Sequence, residues 1–292
     1  MRRNSYLQLI ISISALCFTQ GCIAPRANLQ SGRVTPKGDF SVGYDMTFNA
    51  SLNTLDLAAD QAVKEVKYAS DGAEREVERD LIYDYSRIAM AYALDPVGSS
   101  NQLYVRYGLI DDLDLGVAYG SAGFIFDGAY QVLSHHKGPL DASIGLQYSA
   151  QEFELPSIAG DAQKLLGFDF KRDDFLLRAT LSYPFGPDEE YGAFGFGAAL
   201  NYTRLQYGFT AANVKYVDGA EVALLAAVPT DAESFLAYGG FMNLKLGYKY
   251  IYLVSSLSLY YQDYGTYNLP DDKSTAMSGL TIVPSLGLMG TF

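Results

Sequence analysis

From Phe40 onward the sequence alternates, run after run, between apolar side chains and small or polar ones. Phe40, Val42, Tyr44, Met46 and Phe48 interleave with Ser41, Gly43, Asp45, Thr47 and Asn49; Phe194, Phe196, Ala198, Leu200 and Tyr202 interleave with Gly195, Gly197, Ala199, Asn201 and Thr203. A period of two places each set on its own face of an extended strand. Strands of about 9–11 residues with an apolar outer face span a bilayer only if every backbone group is paired, which requires a closed sheet. Hydrophobic residues form 49% of the chain. Yet after the first few residues no apolar run reaches the roughly 18 residues of a spanning helix. The alternation therefore points to a barrel, with a soluble Tyr-rich β-sandwich as the alternative.

The pattern recurs along the chain. Leu103, Val105 and Tyr107 alternate with Gln102, Tyr104 and Arg106, and Asp111-Asp112 turns back into Leu113, Leu115, Val117 and Tyr119. A strand near Phe126 to Leu133 follows, then one in which Ala142, Ile144, Leu146 and Tyr148 oppose Asp141, Ser143, Gly145 and Gln147. Phe175 to Tyr183, Phe194 to Tyr202, Leu236 to Tyr248, Leu253 to Tyr261 and about Ser278 to Phe292 complete the set. The expectation is all-β: a closed antiparallel transmembrane β-barrel of about 10 strands, with 12 as the alternative if Ile88 to Leu94 adds strands. An even strand count puts the turns at Asp111-Asp112, His135 to Gly138, Phe185 to Glu190 and Lys249 at one end. The long connections 53–100, 151–172, 208–232 and 264–276 fall at the other. Within the first of these, Leu55, Ala58, Ala59, Ala62, Val63 and Val66 share a helical face, so a short helix is expected there.

The two chain ends suggest an address. Arg2 and Arg3 precede the apolar run Leu7 to Phe18, the form of an export signal. Thr19-Gln20-Gly21-Cys22 resembles a bacterial lipobox: Gly21 fits, Thr19 and Gln20 depart from the usual pattern, and simple cleavage is the alternative. The resemblance implies a covalent lipid on Cys22 (a palmitate-class acyl chain), and Ile23 after it favours the outer membrane over inner-membrane retention. Leu286, Leu288 and Phe292 share a face of a strand ending on an aromatic, which resembles the assembly signature of bacterial outer-membrane barrels. Arg106 to Gly116 resembles a periplasmic turn of such barrels.

Taken together, the chain resembles a Gram-negative outer-membrane β-barrel lipoprotein. The implied division is a signal peptide at 1–21, a lipidated N-terminal linker at 22–39 and a barrel at 40–292, with the anchor on the periplasmic side. The implied partners are outer-membrane lipids, lipopolysaccharide and the barrel-assembly machinery.

Charge narrows the function classes. The chain has 21 Lys+Arg and 33 Asp+Glu; without Arg2 and Arg3 of the signal, 19 basic residues remain, a net −14, so nucleic acid is an unfavourable partner. Cys17 leaves with the signal, so no disulfide and no thiolate metal site is expected. The 24 Tyr and 16 Phe suit interfacial girdles.

Inward faces present Asp45, Asp114 and Asp141 against Arg106, Arg178 and Lys245, a set expected to pair inside a polar-filled lumen. The acidic stretches Asp188-Glu189-Glu190, Asp271-Asp272 and Asp169, Asp173, Asp174, and the run Glu74 to Asp80, read as solvated faces, because no calcium-loop spacing is present. No metal or other cofactor is expected. His135 and His136 fall in a short turn and read as solvated residues, and no Gly-x-Ser-x-Gly elbow supports hydrolysis. The expected function is a non-enzymatic envelope scaffold or surface-loop binder of an unidentified ligand. A narrow, porin-like channel for a small solute is the alternative, and an outer-membrane hydrolase the second.

Overall fold

The computed structural model describes residues 25–71, 79–121, 123–136, 138–153, 168–209, 228–269 and 273–292. Its ten strands are β1 (Phe40–Ser51), β2 (Gly98–Ile110), β3 (Leu113–Gly120), β4 (Gly123–Leu133), β5 (Asp141–Phe153), β6 (Phe168–Phe185), β7 (Gly192–Phe209), β8 (Val228–Tyr248), β9 (Ile251–Leu269) and β10 (Lys273–Thr291). Each pairs antiparallel with its sequence neighbour, and β1 pairs with β10, so the sheet is a closed barrel. The seam is finished by the last residue. Phe40 N donates to Phe292 O at 2.9 Å and Phe292 N to Phe40 O at 2.8 Å, which leaves no open edge at that point.

Two helices, α1 (Leu52–Asp71) and α2 (Arg79–Leu94), lie between β1 and β2. Ser51 caps the first, its Oγ accepting from Thr54 N at 3.4 Å. Ile88 to Leu94, the candidate for extra strands, belongs to α2. Ala89, Met90, Ala91, Ala93 and Leu94 are all buried, so the segment packs as a helix and not as a two-faced strand, and the barrel closes with ten strands rather than twelve. The helix expected near Leu55 is present, but Leu55, Ala58, Ala59, Ala62 and Val63 are exposed while Thr54 and Gln61 are buried. Packing selects the polar side because Thr54 Oγ1 reaches the Asp95 carbonyl at 3.0 Å.

The 264–276 connection is shorter than expected. β9 and β10 continue pairing to Leu269 and Lys273, because Tyr264, Tyr267, Leu269 and Met277 carry the inward alternation on and bury against α2. Phe168, Phe170, Leu205, Tyr207, Phe209 and Phe235 complete this aromatic collar, which α2 covers as a cap.

The outer surface has the layout of a membrane wall. Tyr148 and Phe175 meet at 4.9 Å between ring centroids, Phe175 and Tyr202 at 6.4 Å, and Tyr238 and Tyr261 at 5.5 Å, forming one belt. Tyr183, Phe194, Tyr191, Tyr248, Tyr250 and Phe292 form exposed aromatics nearer the short-turn end, with Tyr191 and Tyr248 at 5.8 Å. From Phe175 to Tyr183 is eight residues of strand, about 26 Å along the strand and about 20 Å in height at a tilt of about 40°, a little under the roughly 25 Å apolar band of a transmembrane barrel. Leu177, Leu181, Phe196, Leu200 and Met242 fill that band and are exposed.

Candidate functional site

The lumen is occupied by the chain itself. Residues 25–31 run through the barrel from the helix end toward the short-turn end, where the chain bends at Gly32 and Arg33 and crosses the mouth past Ser182, Gln131 and Asp114 before it turns into β1. Gln147 Nε2 donates to Pro25 O at 2.6 Å, Tyr260 Oη to Arg26 O at 2.9 Å, and Asn243 Nδ2 to Gln30 O at 2.7 Å. Further along, Gly32 N donates to Ser182 Oγ at 2.9 Å, Thr35 N to Asp114 Oδ2 at 2.9 Å, and Gly38 N to Gly108 O at 2.9 Å. An extended segment has no internal partners for its backbone, so the inward polar side chains of the wall supply them. The seven residues from Pro25 to Ser31 at strand rise cover about 23 Å, close to the height of the apolar band.

The six inward charges expected from the alternation all point into the lumen, but they do not form one network with each other. Arg106 bonds Asp114, its Nε 3.1 Å from Oδ2, and also pairs with Asp127. Arg178 Nη2 lies 2.8 Å from Asp127 Oδ2 and also meets Gln30 of the lumenal segment. Lys245 Nζ pairs with Glu189 at 2.8 Å and stands over the Tyr252 ring. Asp141 bonds His135 Nδ1 at 2.8 Å, and Asp45 accepts from Gln102 at 3.0 Å. Of the six, only Arg106 and Asp114 pair with each other; heights along the barrel decide the rest.

Several partners were not among the expected residues. Asp127 is inward on β4 and lies between Arg106 and Arg178, a position that the alternation Ile125, Asp127, Ala129 and Gln131 carries. Asp174, expected in a solvated loop, is inside β6 and buried, its carboxylate 2.6 and 3.0 Å from Arg172 nitrogens. Glu189, also expected to be solvated, is buried beneath its turn. Arg172 Nη1 reaches the Leu94 carbonyl at 2.6 Å, placing a cation on the C-terminal carbonyls of α2. Asp95, just past that helix, accepts from Arg26, Asn49 and Gln262 at 3.3, 3.0 and 2.8 Å, and from Thr281. Its long sequence separations hide this junction from any local pattern.

A cavity of about 240 Å³ lies at the short-turn mouth, beside Arg33, Glu189 and Lys245, and another of about 40 Å³ lies deeper, beside Asp45, Asp127 and Arg178. Cys22, Asp271 and Asp272 lie outside the described residues, as does most of the run from Glu74 to Asp80.

No family model matches the sequence, and no curated protein does. Among solved structures, the chain is similar to Neisserial surface protein A (12% identity, 88% of this chain and 100% of that one, TM-score 0.32). It is also similar to Ail, the attachment invasion locus protein of Yersinia pestis (13%, 88% and 99%, 0.30). A third is a major outer membrane protein from Thermus thermophilus (12%, 87% and 99%, 0.34). At TM-scores this low the likeness adds nothing to the barrel read directly from the strand pairing.

Proposed function

We propose that this chain is a non-enzymatic outer-membrane barrel whose lumen is sealed by its own residues 25–36, and which serves as a rigid scaffold presenting its helix end at the cell surface. The observation that carries the reading is the crossing of the lumen by that segment, tied to the wall at every level from Gln147 to Gly108. The exposed apolar band and its flanking aromatics supply the membrane wall, and α2 with its aromatic collar covers the helix end of the lumen. Short turns face the periplasm in bacterial barrels, which directs the helix end outward.

Pro25, where the described part of the lumenal segment begins, is at the helix end. The channel reading is disfavoured because the charges that would line a conduit, Arg106, Arg178 and Lys245, are engaged by Asp114, Asp127 and Glu189. The hydrolase reading is disfavoured because His135 Nε2 faces the Asp188 carboxylate at 3.8 Å, where a hydroxyl nucleophile would have to stand.

The test is conductance of the refolded protein in a planar bilayer, with folding confirmed by heat-dependent gel migration. A folded, silent wild type and discrete steps after deletion of residues 25–34 support the sealed scaffold. Steps in the wild type whose ion selectivity shifts in Lys245→Ala overturn it in favour of a channel.

A further inference from the structure

At the short-turn rim, His135, His136 and Asp188 bring three potential ligand atoms within 4.8 Å of one another. They come from two turns, β4–β5 and β6–β7. His136 Nε2 is 3.2 Å and His135 Nε2 3.8 Å from the same oxygen, Asp188 Oδ1. The imidazole rings lie side by side, their centroids 4.2 Å apart.

His135 is oriented from behind. Its Nδ1 is 2.8 Å from Asp141 Oδ2, and that carboxylate, fully buried, also accepts from His135 N at 2.8 Å and Gln131 Nε2 at 2.9 Å. A proton on Nδ1 donated to Asp141 leaves the Nε2 lone pair directed toward Asp188. This carboxylate–imidazole relay is the arrangement that fixes ring and tautomer of metal-ligating histidines.

We propose that His135 Nε2, His136 Nε2 and Asp188 form a binding site for a divalent cation of the zinc class, with water completing the coordination. Ligand bonds of about 2.0–2.1 Å in a tetrahedral shell place ligand atoms roughly 3.4 Å apart. The 3.2 Å separation already meets this; the 3.8 Å from His135 Nε2 to Asp188 Oδ1 closes by a small rotation of the exposed Asp188 side chain, and the approach of the two imidazole nitrogens by rotation of the exposed His136 ring. Two imidazoles select zinc, nickel or copper over calcium and magnesium, which take oxygen ligands. Arg33 Nη2 also contacts Asp188 Oδ1, at 3.0 Å. The carboxylate keeps further lone pairs for a metal, so Arg33 acts as its hydrogen-bond support, while its charge holds the affinity to a moderate level. The bound cation ties the two turns together and, through Arg33, ties them to the lumenal segment.

The experiment uses the refolded full-length chain, stripped with chelator and titrated with Zn²⁺ by calorimetry, and with Co²⁺ by visible absorption. The site predicts saturable one-to-one binding and a Co²⁺ spectrum of nitrogen and oxygen ligation. His136→Ala and Asp188→Asn weaken binding at least about tenfold. Both residues are exposed, so the barrel folds in either variant, as heat-dependent migration checks. Binding as tight in His136→Ala as in the wild type, or no saturable binding at all, overturns the proposal.

Discussion

Arg26 Nη1 lies 3.3 Å from Asp95 Oδ1, and both side chains are 1% exposed although 69 positions separate them. The contact joins the entry of the lumenal segment to the end of α2. Removing one partner of a buried ion pair leaves the other charge uncompensated, at a cost of about 3–5 kcal/mol. Asp95→Ala is therefore expected to lower the urea midpoint of the folded barrel strongly, since it also strips partners from Asn49, Gln262 and Thr281. An unchanged midpoint would show that the segment is not docked at the helix end.

Asp127 serves two guanidinium groups, so neutralising it is expected to be costly. Asp127→Asn, a change of nearly constant shape, leaves Arg178 with only Gln30 and Gln147 and should destabilise by about 3–5 kcal/mol. Asp45→Asn is the comparison: Asp45 meets Gln102 and no cation among the described residues, so its loss should be much smaller. Equal effects in urea titrations of the two variants would contradict the assigned pairing.

At Gly32 the lumenal segment lies hard against the wall. A Cβ there would stand 2.6 Å from the Asp141 carbonyl oxygen and 3.0 Å from Ser182 Oγ. Backbone cannot yield as a flexible side chain does, so Gly32→Val is expected to cost about 1–3 kcal/mol and to loosen the seal. Unfolding midpoints and bilayer conductance read the two effects separately. A fully stable, silent Gly32→Val variant would mean that the segment does not pass Ser182.

Orientation is open to chemical labelling. Thr266 is exposed near the β9–β10 hairpin at the helix end, and Tyr250 is exposed in the β8–β9 turn at the other. In intact cells a membrane-impermeant maleimide is expected to label Thr266→Cys, and to label Tyr250→Cys only after the outer membrane is opened. The reverse pattern would invert the barrel and return the region around Pro25 to the periplasmic side.

Much of the wall was legible in the sequence because a strand's facing depends on parity alone. Asp45, Arg106, Asp114, Asp141 and Arg178 are buried on the inward face as the alternation requires, and Lys245 reaches the buried Glu189 from the same face. The helix within the first long connection was legible, but its buried side was not: tertiary contacts from Asp95 and Ala91 recruit Thr54, leaving Leu55 and Val63 exposed. Ile88 to Leu94 misled for the reason that short apolar runs fit either period. His135 and His136 looked like solvated turn residues because Asp188 is more than fifty positions away.

The sequence by itself pointed to a closed wall of about ten strands, with apolar residues outward and charges inward, because backbone pairing in an apolar medium admits few alternatives and a period of two assigns the faces; that Ile88 to Leu94 adds no strands was decided by its packing as a helix. Only the tertiary structure decided what fills that wall. The lumenal course of residues 25–36, the Asp127 bridge, the Asp95 junction and the meeting of His135, His136 and Asp188 all join positions far apart in the chain. Their geometry depends on strand register and relative height, and no local periodicity encodes either.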